Sequence, residues 1–188
     1  MWDKLQQLGK RAHYAYAFAY TGWDDKIYNP KYPITPTNTV GIANMFTWNI
    51  EITDTKVPIT AYGSCNTAFS NCTKLVRIPM LIFAGATSVT NMFQNCTNLV
   101  ELNCEGCLTN DLDLQWSKKL SQASIMSVLN AAHEGGDYFN DESKYPTVRL
   151  SLAAVNKAYE TSEGANDGSD SLWWQSDVNN YHCQIELI

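Results

Sequence analysis

An internal repeat constrains the fold of this chain more than any other feature of its sequence. The stretch AFSNCTKLVRI at 68–78 returns as MFQNCTNLVEL at 92–102, with equivalent residues offset by 24 positions. The spacing continues toward the N-terminus, because phenylalanines stand 28, 23 and 24 residues apart at Phe18, Phe46, Phe69 and Phe93. Such a period is typical of repeat architectures, in which each unit buries its apolar face against its neighbours.

The spacing inside the repeat predicts which side chains face the core. In LVRI at 75–78, Leu75, Val76 and Ile78 fit a short strand that enters the core, with Arg77 turned to solvent. LVEL at 99–102 has the same pattern. We expect the repeated phenylalanines to fill the core and the repeated asparagines, Asn71 and Asn95, to lie in turns where an amide satisfies backbone groups.

The repeated cysteines, Cys72 and Cys96, allow more than one interpretation. They could form a disulfide or supply two metal ligands. They could also be small buried thiols in a ladder of equivalent positions, which suits how often free cysteine is fully buried. We favour the ladder, and expect stacked units to place asparagine over asparagine and cysteine over cysteine.

The pattern AF-x-N-C-T-x-L resembles the BspA-type leucine-rich repeat. The wider sequence resembles proteins of bacteriophages and prophages of gut bacteria that carry this repeat, some of them tail-associated, over the stretches 2–18, 30–46, 112–131 and 158–174. The resemblance implies an α+β repeat fold, namely a short leucine-rich-repeat solenoid of about three to four coils with a helical N-terminal cap and an α/β C-terminal cap. The unit at Phe46 departs from the pattern, because it lacks the Asn-Cys pair.

The chain is predicted to form a single domain over 1–188, divided into an N-terminal cap and first coil (1–43), repeat coils (44–112) and a C-terminal cap (113–188). Local patterns predict a helix at 2–9, a helix at about 121–132 with Ser121 as N-cap, a strand at 147–152, a helix at 153–163 and a final strand in CQIELI.

Charge and hydropathy argue against a nucleic-acid partner and against a membrane-spanning segment. The net charge of −6, without a basic patch, argues against nucleic acid. The longest uncharged apolar run, at 78–86, is far shorter than a membrane-spanning helix of about 20 residues, so no membrane insertion is expected. The N-terminus lacks a secretory signal pattern. We expect the protein in a virion or outside the cell after lysis, with the host cytoplasm as the alternative, and the oligomeric state stays open.

Motifs that would indicate chemistry are weak in this chain. Cys104 and Cys107 form a CxxC, but a structural zinc site needs a second pair at compatible spacing, and a redox site needs a strand–helix context. The histidines, His13, His133 and His182, are far apart, and none is i,i+4 from another ligand-type residue on a predicted helix. We therefore predict no enzyme activity, no catalytic residue, no metal site and no cofactor.

Aromatic residues outside the repeated core positions are the candidate ligand-binding groups, since flat rings offer large contact area at little entropic cost. These residues are Trp23, Tyr28, Tyr32, Trp48, Trp173 and Trp174. The alternative is that they pack the caps. With the resemblance, they suggest a non-enzymatic adhesion module that attaches a phage tail to a protein or glycan on a bacterial surface, or contacts other virion proteins. The alternative function is an intracellular phage or prophage protein that contacts a host factor.

Overall fold

The computed structural model describes residues 14–24, 26, 28–36, 39–137, 139, 141–159 and 181–188. Within these ranges, six strands form two separate parallel sheets of three strands each. The first sheet contains, in spatial order, β1 (Ile59–Ser64), β2 (Arg77–Ser88) and β3 (Glu101–Gly106). The second contains β4 (Leu112–Leu114), β5 (Thr147–Leu150) and β6 (Gln184–Leu187), and the described α-helices are α1 (Gln122–Asp137) and α2 (Leu152–Tyr159).

The sequence repeat sets the register of the first sheet. Arg77 pairs with Glu101 and Ile78 with Leu102, so the register between β2 and β3 begins at the 24-residue offset of the repeat. The parallel strands are joined by turns rather than by helices, and those turns carry the repeated phenylalanines and asparagines.

The repeated phenylalanines form a continuous stack in the core. The rings of Phe18, Phe46, Phe69 and Phe93 lie with successive centroids 5.0, 5.3 and 5.4 Å apart and planes nearly parallel. All four side chains are buried. The repeated thiols lie in the same core, where Cys72 Sγ donates to the carbonyl of Phe46 (3.0 Å) and Cys96 Sγ to that of Phe69 (3.1 Å). The interpretation of these cysteines as buried free thiols is confirmed.

Helix α1 closes the open edge of β3. The hydroxyl of Ser124 accepts a hydrogen bond from the backbone N–H of Leu102 (2.9 Å) and donates to the carbonyl of Val100 (3.1 Å). One helical turn later, Ser127 accepts from the N–H of Cys104 (2.7 Å) and donates to its carbonyl (3.0 Å). Two serines at i and i+3 thus satisfy backbone groups that a fourth strand would otherwise pair.

The predicted solenoid is wrong as the fold class of this chain. The described residues form a small α+β domain with two three-stranded parallel sheets and two α-helices. The 24-residue period ends at β3, where α1 takes the place of the next strand. In the second sheet, Leu112 pairs with Val148 and Val148 with Ile185, which are offsets of 36 and 37 residues. Helical connections of this length are the usual way to join parallel strands.

Several local predictions also need correction. Strands β2 and β3 begin at Arg77 and Glu101, so the residues before them belong to turns, and Val76 is 41% exposed rather than core-facing. The helix predicted at 121–132 continues to Asp137, with Ser121 accepting from the N–H of Ser124 at its start (3.2 Å). The helix predicted at 153–163 is present in its described part as Leu152–Tyr159, and residues 160–163 lie outside the described residues. The predicted helix at 2–9 lies outside the described residues.

Neither α1 nor α2, the described helices, combines the length and the apolar character needed to cross a membrane.

Candidate functional site

A row of left-handed turn residues forms the most distinctive described surface. Tyr20, Trp48, Asn71 and Asn95 each stand two positions after a stacked phenylalanine, and their φ angles are +56°, +58°, +62° and +59°. Asparagine tolerates this conformation, because its short polar side chain can hydrogen-bond locally. A bulky aromatic residue in the same conformation is a strained exception, of a kind that clusters at functional sites.

Backbone hydrogen bonds hold these residues in line. The N–H of Tyr20 donates to the carbonyl of Thr47 (2.9 Å), which precedes Trp48. In the same way, the N–H of Trp48 donates to the carbonyl of Ser70, which precedes Asn71. The next unit repeats this pattern. Neighbouring residues of the row are therefore about 5 Å apart, the spacing of adjacent parallel strands.

Trp116 follows the row of left-handed residues along the chain, although its own φ angle is not left-handed. It stands two positions after Leu114, which is buried, as Trp48 does after its phenylalanine. The next residue, Ser117, donates its hydroxyl to the carbonyl of Cys96 (3.3 Å), and Cys96 directly follows Asn95. The segment that contains Trp116 therefore lies next to the turn that contains Asn95. We call the row of Tyr20, Trp48, Asn71, Asn95 and Trp116 the turn strip.

The aromatic members of the turn strip are accessible. The side chains of Tyr20, Trp48 and Trp116 are 70%, 50% and 39% exposed. The amides between them are partly buried, and Asn95 Nδ2 donates to Asn71 Oδ1 (2.7 Å) while Asn71 Nδ2 donates to Ser70 Oγ (3.0 Å). Because each amide nitrogen carries two donors, both retain hydrogen-bonding capacity for a ligand.

A second row of left-handed residues lies at the start of the same turns, before each stacked phenylalanine. Its members stand two positions before each stacked ring and have φ angles of +53° to +58°: Tyr16, Asn44, Thr67 and Asn91. Thr67 Oγ1 donates to Asn44 Oδ1 (2.6 Å), and Tyr16 is exposed. The second row adds amides, a hydroxyl and another phenol beside the turn strip.

Charged side chains lie elsewhere in the repeat units. Arg77 bridges Asp54 (3.1 Å) and Glu101 (2.9 Å) across neighbouring strands, and these carboxylates, Asp54 first, raise the pKa of its guanidinium. Lys74 pairs with Glu51 (2.7 Å) in an equivalent exposed position. Both rows of turn residues consist of uncharged side chains.

The predicted aromatic candidates fall into different environments. Trp48 is in the turn strip, and Tyr32 is exposed but lies in the segment leading to the Ile34–Ile59 bridge. Trp23 is partly buried against the core, with its ring 5.4 Å from that of Phe18.

Tyr28 is buried and offers no binding surface, in contrast to its prediction as a ligand-binding residue. Its side chain is 2% exposed, in edge contact with Phe18 and Phe46, and burial strongly raises the pKa of its phenol. Trp173 and Trp174 lie outside the described residues.

Two members of the turn strip were missed by the sequence reasoning. The signal for both is an aromatic residue two positions after a register residue, which is Phe18 for Tyr20 and Leu114 for Trp116. The register was not followed past Phe93, because leucine replaces phenylalanine at 114 and the Asn-Cys pair is replaced by Trp116-Ser117.

The cysteines of the CxxC differ in environment. Cys104 is buried and burial raises the pKa of its thiol, whereas Cys107 is exposed, and neither is in a disulfide. A thiolate, the reactive form, is therefore disfavoured at Cys104.

A cluster of ligand-type side chains was also missed. His133, Asp137 and His182 place one ligand atom each within 4.8 Å of one another. His133 and Asp137 are i,i+4 on α1, a relation hidden when the helix was predicted to end at residue 132.

Comparisons with protein-family models, curated proteins and solved structures gave no match for this chain.

Proposed function

We propose that this protein is a non-enzymatic binding module that takes an uncharged glycan of a bacterial surface on its turn strip. The observation that carries the proposal is the left-handed backbone at Trp48 and Tyr20, positions where the sister units have asparagine. Strain of this kind costs on the order of 1–3 kcal/mol and persists where the surroundings over-determine it, often because the side chain has a use.

The chemistry of the strip suits a sugar chain. Aromatic faces pack against the apolar face of a sugar ring, and amides exchange hydrogen bonds with its hydroxyls. Indoles stand at Trp48 and Trp116 on either side of the amides of Asn71 and Asn95. Five residues at steps of about 5 Å give a row that is longer than a single sugar ring and suits an extended oligosaccharide.

Charge supports a neutral ligand. The strip is uncharged, while the chain carries a net charge of −6, which disfavours polyanionic polymers at low salt. A bacteriophage setting, in which the module attaches a tail to its host, belongs to the proposal and is supported by the sequence resemblance alone.

The test is binding of the purified chain to an array of bacterial polysaccharides and to whole bacterial cells. We expect binding to neutral glycans, with an affinity loss of roughly 5–30-fold for Trp48→Asn or Trp116→Ala, which corresponds to about 1–2 kcal/mol. Tyr32→Ala, which removes an exposed ring outside the strip, is the matched control and keeps wild-type affinity.

Two results would reject the proposal. One is the absence of binding to any glycan or cell surface. The other is an equal loss for Tyr32→Ala and Trp48→Asn, which would place the contact surface outside the strip. Capture of a soluble host protein with retained affinity in Trp48→Asn would favour the intracellular alternative.

A further inference from the structure

The last turn of α1 and the segment before β6 bring three potential metal ligands together. His133 and Asp137 lie one turn apart on α1, and His182 reaches them from the segment before β6. Their ligand atoms all lie within 4.8 Å of one another, and His133 Nε2 is 3.9 Å from Asp137 Oδ2. The three side chains are at least partly exposed, so a solvated ion can reach them.

Contacts around the cluster fix the orientation of both imidazole rings. The backbone N–H of His182 donates to His133 Nδ1 (2.9 Å), and His182 Nδ1 is hydrogen-bonded to Asp137 Oδ1. The ring of Tyr145 stacks on that of His182, with centroids 5.3 Å apart. Stacking on Tyr145 is the contact that can hold the ring of His182 in place with a metal bound, because both hydrogen bonds use ring nitrogens whose roles change on binding.

The backbone is also adapted to this approach. Gly136 lies against the carbonyl of His182, where a Cβ would overlap that carbonyl. Tyr181, next to the cluster, donates its hydroxyl to Asn130 Oδ1 on α1 (2.8 Å). The segment at 181–182 is thus held against α1 on both sides of the potential ligands.

We propose that His133, Asp137 and His182 bind a divalent first-row metal ion of the Zn²⁺ type, which ties the C-terminal strand segment to α1. Two imidazole nitrogens and one carboxylate oxygen form a donor set that Zn²⁺ accepts at about 2.0–2.2 Å, with a water completing the coordination. The ion would replace the hydrogen bond between His182 Nδ1 and Asp137 Oδ1 and bind these two atoms together with His133 Nε2. The site is independent of the turn strip.

The hydrogen bonds of the free protein predict a local change on binding. His133 Nδ1 accepts a backbone N–H, so the ring proton is on Nε2. A metal at Nε2 replaces that proton, and the neutral ring then carries its proton on Nδ1, which ends the bond from the N–H of His182. Metal binding therefore perturbs the backbone amide of His182 directly.

The test is titration of the full chain with Zn²⁺ by calorimetry, with NMR of the backbone amides. We expect one equivalent of Zn²⁺ to bind, a rise in Tm with Zn²⁺ concentration, and a large shift of the His182 amide. His182→Gln and Asp137→Asn each weaken binding at least about tenfold. Glu134→Gln, on the same helix and outside the cluster, is the matched control and binds like wild type.

Co²⁺ gives a second readout that does not depend on the stability of any variant. Ligation by nitrogen and oxygen yields visible d–d bands without the charge-transfer band of a cobalt–thiolate bond. A thiolate band, wild-type affinity in His182→Gln, an equal loss in Glu134→Gln, or no binding by the wild-type protein would each overturn the proposal.

Discussion

Truncation of Ser124 tests whether α1 closes the first sheet. Ser124 is buried, and its hydroxyl bonds both the N–H of Leu102 and the carbonyl of Val100. In Ser124→Ala, that N–H lies in the core without a partner, which costs about 1–3 kcal/mol. The better helix propensity of alanine offsets about 0.5 kcal/mol of this loss in stability. We expect a net loss of about 1–2 kcal/mol in the free energy of unfolding.

Two measurements check this prediction. Urea denaturation gives the change in stability, and native-state hydrogen exchange reports the amide of Leu102, which should exchange faster in Ser124→Ala. Gln122→Ala, at an exposed position of the same helix, is the control and should stay within about 0.5 kcal/mol of wild type. If Ser124→Ala matched this control and the Leu102 amide kept its protection, the closing role of α1 would be refuted.

Three further predictions follow from burial and close packing. Phe69→Ala and Phe93→Ala should each cost about 3–5 kcal/mol in chemical denaturation, and the double variant should lose less than the sum, because the rings stack at 5.4 Å. Additive losses would contradict direct ring contact. Burial raises the pKa of the Cys96 thiol to about 12, above the 9.0 of the free group, so the unfolded chain releases this proton first. The free energy of unfolding should fall as pH rises from about 9 toward 12, less steeply in Cys96→Ala, and an unchanged slope would contradict this. Gly135→Ala should lower Tm although alanine favours helices, because its Cβ would overlap the carbonyl of Leu108; a raised Tm would contradict the close approach.

The sequence repeat identified most of the buried positions in its units, although Val76, predicted to enter the core, is exposed. Equivalent spacing identified the buried phenylalanines, the buried thiols and the Asn71–Asn95 contact, because stacked units must place identical residues in identical environments. The predicted strand starts were less accurate. Leu75 is buried as expected, but it lies before the strand, and burial alone does not distinguish a turn residue from a strand residue.

The fold class was wrong because the repeat was extended beyond the units that carry it. After β3, serines of α1 replace a strand as hydrogen-bond partners, and an i,i+3 serine pair has no distinctive sequence signal. The long offsets of the second sheet depend on the helices between its strands. Local sequence patterns predict where those helices and strands lie but not which strands pair.

The metal-ligand cluster escaped prediction for a related reason. Gly135-Gly136 reads as the end of a helix, since glycine is unfavourable in helix interiors. The structure shows that tertiary contact requires these glycines, because Leu108 and His182 approach where side chains would stand. Only with the helix continued to Asp137 do His133 and Asp137 share a face.

The turn strip is tested most directly by Trp48→Asn, measured for both stability and glycan affinity. Asparagine stands at the equivalent positions 71 and 95 with φ angles of +62° and +59°, so the variant keeps a residue suited to this backbone. Relief of strain should offset the packing lost from a side chain that is 50% exposed, leaving the free energy of unfolding within about 1 kcal/mol of wild type. We expect unchanged stability with a roughly 5–30-fold loss of affinity. A variant that is destabilised by several kcal/mol yet binds as wild type does would show that Trp48 serves packing, and would contradict the binding role of the strip.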